Sequence, residues 1–324
     1  MEDGSLPPER VVIERVCSGI PRRETTTDAE GNFSFRLGQE SNILPDATSS
    51  RTYTNSGLSL DPAATSGRFA GCELRAALNG YRSTSINLDQ IASFDKGEVG
   101  TILLQPLARS QGSTVSASTD QAPKDALKAY EQGRQALAKN NLSEAQSKLS
   151  KAVEIYPKFA IAWSELGRVH QMQNHFDEAR KALAQSFAAD DKYVPPYVVL
   201  AQVAAKQNNW EEVVAVTDRA IALDSLDFPL AFFYNAVAHF NIGDLDPAEQ
   251  SARRGLRIDT QRKVPTLELI LASILQQKNQ YAESAEHFRA YLKLAPNAPN
   301  AGSIRSQLAE VEKQLANAGT APPK

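Results

Sequence analysis

At 324 residues the chain is long enough for two domains or three, counting about 100–200 residues for each. Its 35 basic and 38 acidic side chains leave a net charge of −3. Apolar residues make up 42% and charged residues 23%, which excludes a strongly basic nucleic-acid binder and an acidic disordered chain. No run of about 18 apolar residues occurs, so no membrane span is predicted. The nearest candidate, 228–242, is interrupted by Asn235, His239 and Asn241.

From the N-terminus, β-rich runs recur between turn residues. They are Arg10–Val16, Gly31–Leu37, Cys72–Leu78, Tyr81–Leu88 and Val99–Leu104. In the second run Phe33, Phe35 and Leu37 share one face while Ser34 and Arg36 take the other, the period of a half-buried strand. Asp28-Ala-Glu-Gly31 and Asn79-Gly80 supply turns. The spacing predicts an antiparallel β-sandwich over 1–106, with a patternless loop insertion over 38–70. Thr27-Asp-Ala-Glu-Gly-Asn-Phe-Ser-Phe35, Leu74 to Tyr81 and Asn87-Leu-Asp89 resemble the carboxypeptidase regulatory-like domain. That resemblance implies a transthyretin-like sandwich acting as an accessory module without catalytic residues. It also departs from the family, because the opening Gly-x-Val strand would precede Gly4.

Cys17 ends the first strand and Cys72 begins the third, so one disulfide stapling two strands is expected, with two buried free thiols as the alternative. A disulfide would place the protein in an oxidising compartment, periplasmic or secreted. Met1-Glu-Asp-Gly has neither the basic nor the apolar region of a signal peptide, so the leader would be missing from this sequence and a cytoplasmic location stays open.

Residues 107–124 are small and polar and read as a flexible linker. Beyond them, copies starting at 126, 160, 194, 229 and 265 repeat through 125–297. The second copy is clearest, with Trp163, Leu166, Gly167, Phe176, Ala179, Leu183 and Phe187. These positions resemble the tetratricopeptide repeat. Val213 and Ser284 depart from its usual Ala, and Asn235 from its usual Leu. The resemblance implies paired antiparallel helices stacked into an all-α superhelix. Ile304, Leu308, Val311 and Leu315 predict an amphipathic capping helix over 298–318, before a tail at 319–324. The fold class expected is therefore multidomain: an N-terminal antiparallel β-sandwich plus a C-terminal superhelix of five repeats.

In this family the first helix of each repeat lines a concave groove. Carried over, the resemblance implies groove residues Tyr130, Arg134 and Leu137 in the first copy, and Ile161, Arg168, Gln171 and Met172 in the second. Gln202 and Lys206 follow in the third, and Phe233, Val237 and Phe240 in the fourth. Tyr130 and Arg134 stand where a dicarboxylate clamp would need Lys and Asn, so an acidic C-terminal peptide is not the expected ligand. Packing against each other or a neighbour is the other role open to these residues. No HExxH, GxSxG or GxxxxGK[ST] occurs, and His170 and His239 read as packing residues with a satisfied N–H. The expectation is a non-enzymatic scaffold without cofactor or metal, holding a protein or peptide segment in the groove. Nucleic acid is not expected as a partner. The alternative is a cell-envelope or glycan-binding protein in which the β-sandwich binds and the repeats mediate assembly.

Overall fold

The computed structural model describes residues 1, 5–17, 20–34, 71–78, 81–88, 99–106, 112 and 116–319. The chain divides into two units, Met1–Pro106 and Leu107–Lys324.

In the first unit β1 (Val12–Cys17), β2 (Ile20–Thr26), β3 (Cys72–Ala77) and β5 (Ser85–Asn87) form an antiparallel sheet in the order β2-β1-β3-β5. A second antiparallel pair joins β4 (Tyr81–Ser83) to β6 (Leu104–Pro106). Alternation places Cys72, Leu74 and Ala76 of β3 inward, where they meet Val11, Ile13, Ile86, Leu88 and Leu104 in one apolar cluster. Cys17 and Cys72 lie opposite each other on β1 and β3 and are joined as a disulfide.

Several strand expectations change. Gly31–Ser34 are not a strand: they complete a turn in which the Asp28 carboxylate accepts from the Glu30 and Asn32 N–H groups. Phe33 still packs on the core, whereas Phe35, Leu37, the 38–70 insertion and the Asn79–Gly80 turn lie outside the described residues. Tyr81–Leu88 breaks into β4 and β5 because buried Thr84 turns aside to exchange hydrogen bonds with the Leu103 backbone at 2.9 Å. Strand β2 has no counterpart among the predicted runs. Its Arg22-Arg23-Glu24 stretch hides the period of two, yet Glu24 is held by Arg15 of β1 at 2.6 Å.

The second unit contains eleven α-helices among the described residues. They pair as α1 (Lys124–Ala138) with α2 (Leu142–Ile155), and α3 (Ala160–Met172) with α4 (Phe176–Ala189). Next come α5 (Pro195–Lys206) with α6 (Trp210–Leu223), and α7 (Pro229–Ile242) with α8 (Leu245–Ile258). α9 (Thr266–Gln277) pairs with α10 (Tyr281–Leu294), and α11 (Ala301–Gly319) follows, packing on α10 through Ile304 and Val311. The first helices α3, α5, α7 and α9 also touch one another in succession, so the array curves with these helices inside.

Two local devices repeat. Each turn within a pair holds one left-handed residue: Asn140, Asn174, Asn208, Gly243 and Asn279, with φ of 55°, 60°, 57°, 96° and 59°. Asparagine tolerates this region because its short polar side chain bonds locally. After it, Asn141 and Asn209 cap α2 and α6, each accepting from the N–H three residues on and donating to that residue's glutamate. The second device is close approach. A Cβ on Gly133 would stand 2.7 Å from Leu149, and one on Gly167 would stand 2.8 Å from Leu183.

Departures from the repeat pattern are compensated by hydrogen bonds. Buried Asn235 donates to Thr217 Oγ1 and Asp218 Oδ1 at 2.8 Å and accepts from Ser251 Oγ. Buried Ser284 donates to the Ala272 carbonyl at 2.8 Å. The stretch expected as a linker is described at Gly112 and 116–124, where it lies against the helices.

Two stability outcomes follow from these features. Cys17→Ser should destabilise the first unit by about 4 kcal/mol in the chain-entropy account of a loop this long. Hydrogen exchange at β1 and β3 checks it, with the helices as internal reference. Asn208→Val should cost roughly 1–2 kcal/mol in denaturant unfolding, because a β-branched residue resists the left-handed region, whereas Asn208→Gly should not.

Candidate functional site

Inward-facing positions of the first helices form the candidate surface. Tyr130, Arg134 and Leu137 stand on α1, Ile161, Arg168, Gln171 and Met172 on α3, Gln202 and Lys206 on α5, and Phe233, Val237 and Phe240 on α7. The structure sorts them into two groups. Ile161 is buried, and Tyr130 and Leu137 pack around the same cluster as Phe159 and Tyr193. Phe233, Val237 and Phe240 are half-buried against Ile270 and Ile274 of α9. These six serve the stacking of repeats. Arg134, Arg168, Met172 and Lys206 remain exposed, and Gln171 and Gln202 are half-exposed.

The surface is graded along the array. Near its start Tyr130 lies against Phe159, with ring centroids 5.4 Å apart, and Arg134 stands over the Tyr130 ring at 5.8 Å. Glu165 binds Arg168 on the same helix face, its carboxylate accepting from Nε at 2.9 Å. Burial, reinforced by the Glu165 charge, pushes the Tyr130 hydroxyl up to about 12. Tyr193, just before α5, is pushed up further by the same two causes, and Tyr130, Arg134 and Arg168 all act on it. Two phenols, Arg134 and the Arg168–Glu165 pair thus meet across the first three repeats. On α7 the inward positions Phe233, Val237 and Phe240 are apolar, with Phe233 and Tyr234 in edge contact at 5.1 Å. Such a surface offers hydrogen bonds over the first three repeats and apolar contact at the fourth.

Beyond the groove, a chain of charges ties the fourth repeat to the fifth, and single residues gave no sign of it. Lys278 reaches Asp246 and Glu249 at 2.6 Å, Arg253 bridges Glu249 and Glu283, and His287 Nδ1 lies 2.6 Å from Glu268. Glu268 also accepts from Arg262 at 3.0 Å. The carboxylate that meets His287 Nδ1 stands 19 positions away in the chain, so local sequence gives no sign of it. His170 and His239 are half-buried, but Nδ1 of each has no hydrogen-bond partner among the described residues. Burial holds His170 below the ordinary histidine range. Among the described residues no three His, Cys, Asp or Glu side chains converge as metal ligands. No helix of the described residues is long and apolar enough to cross a membrane.

Tetratricopeptide-repeat family models match residues 136–198 and 269–298. Among solved structures, the chain is similar to pilF of Pseudomonas aeruginosa, at 19% identity and a TM-score of 0.53, over 61% of this chain and 88% of that one. It is also similar to a thermophilic tetratricopeptide-repeat protein of Thermus thermophilus, at 17% identity and a TM-score of 0.46, over 57% and 98% of the two chains. A third, YrrB, a repeat protein with an unusual peptide-binding site, is 18% identical at a TM-score of 0.45, over 58% and 96%. No curated protein matches the chain in sequence. The second unit therefore carries tetratricopeptide repeats in a helical superhelix, modules that generally mediate interactions between proteins.

The tyrosine geometry has a measurable consequence. Tyr130 is neutral in the fold up to about pH 12, above the ordinary phenol range near 10. Its contribution to stability is complete below about pH 10 and is lost as pH rises from there towards 12. A spectrophotometric titration of wild type against Tyr130→Phe should therefore lose a late-titrating phenol.

Proposed function

We propose that the protein is a non-enzymatic scaffold whose inward helix face holds a segment of a partner protein. The observation that carries this reading is the exposure of Arg134, Arg168, Met172 and Lys206 on that face, while their neighbours pack into the array. The grading of the face favours a segment with hydrogen-bonding groups over repeats one to three and apolar residues over the fourth. The Asp28 turn and the core shared by two antiparallel sheets support reading the first unit as a carboxypeptidase regulatory-like sandwich, a docking or spacer module. The Cys17–Cys72 bond favours an extracytoplasmic, oxidising location.

Photo-cross-linkers placed at Met172 and Lys206, against controls at Lys151 and Lys181 on second helices, test the groove. A single partner segment captured from the inner positions is expected. Arg168→Glu combined with Lys206→Glu should weaken its binding by roughly tenfold, a loss of about 1.4 kcal/mol. Capture from the second helices alone would sink the reading.

A further inference from the structure

Ser118, Ser116 and Gly112 meet successive repeat junctions in reverse chain order. At the junction of the first and second repeats, the Ala160 N–H at the start of α3 donates to Ser118 Oγ at 3.2 Å. At the next junction, buried Ser116 donates from Oγ to Asp190 Oδ2 at 2.6 Å, and Asp190 Oδ1 accepts from the Lys192 N–H. Near the third junction the Gly112 N–H donates to the Leu223 carbonyl at 2.8 Å. A Cβ on Gly112 would lie 2.7 Å from both the Leu223 Cβ and the Val194 Cγ2, so only glycine fits there. The chain then passes Ala122, which packs on the Phe159 cluster, and enters α1.

A stacked array ordinarily couples each repeat only to its neighbours. Here one segment touches the ends of α4 and α6 and the starts of α3 and α5, and it is covalently continuous with α1. We propose that Gly112 and Ser116–Thr119 form an intramolecular strap that joins the first three repeats into one cooperative block and holds their curvature. Its contacts lie at helix starts and ends and involve none of the exposed groove residues Arg134, Arg168, Met172 and Lys206. It therefore stands apart from the groove reading and would hold if no segment bound there.

Hydrogen exchange on the full chain tests the strap. Gly112→Ala should speed exchange of the Ala160 and Lys192 amides and of α3 to α6 together, by roughly tenfold, with α9 and α10 unchanged. Ser116→Ala with Ser118→Ala removes the hydrogen bonds without a clash and should reproduce the pattern more weakly. The strap is refuted if both variants leave Ala160 and α3–α6 at wild-type rates. Equal acceleration in α9 and α10 would refute it as well, because the block would then not end at the third repeat.

Discussion

Each clear helix pair closes where a side chain is reduced to hydrogen and a leucine of the partner helix fills the space. Gly133 receives Leu149 and Gly167 receives Leu183, while Gly255 of α8 stands against the Cβ of Phe232 within its own pair and against Leu267 of α9 in the next repeat. Dense packing makes this contact specific: a methyl group at under 3 Å forces the leucine or one of the helices to shift. Interhelix distance within a pair is thereby set, and with it the angle at which the next pair stacks. The inward face of the first helices follows from that angle, so groove geometry depends on contacts that never touch a ligand.

Because that contact recurs in chain order, the helical unit is legible in sequence. Gly167, Ala179 and Leu183 mark it, and Asn140, Asn174, Asn208 and Asn279 mark the turn that lets the second helix return. Both demands act on the backbone, where few residue types comply, so the period survives variation elsewhere. The first unit is less legible. Strand β2 carries Arg22, Arg23 and Glu24 in place of an apolar alternation, and Glu24 is held by Arg15 across the sheet. The strap is less legible still, because Gly112, Ser116 and Ser118 look like solvent-facing linker until their partners at Leu223, Asp190 and Ala160 are known.

The groove was half legible for a related reason. Family positions put all twelve residues on the first helices, yet an apolar residue there can face solvent or the next repeat. Ile161 faces the cluster around Phe159, and Phe233 and Phe240 face α9. Only the long polar chains, Arg134, Arg168 and Lys206, are forced outward by the cost of desolvating a charge. Asn235 is the converse case. As a substitution for leucine it read as an imperfection, but it is the centre of a buried bond set linking α6, α7 and α8.

The repeats are thus held beyond nearest-neighbour packing by different means at each end. Around repeats one to three the added restraint is a run of backbone and hydroxyl contacts; around four and five it is the ion-pair chain from Asp246 to Glu283, with the Arg262–Glu268 pair beside it. Single exposed ion pairs contribute about 0–1 kcal/mol, but here Glu249 serves two cations, Lys278 and Arg253, and Glu268, paired with Arg262, is buried. Salt weakens exposed pairs of this kind and leaves neutral hydrogen bonds almost untouched. The two ends of the array therefore respond to different conditions, and the Asn235 bond set at α6–α8 lies where the two restraints meet.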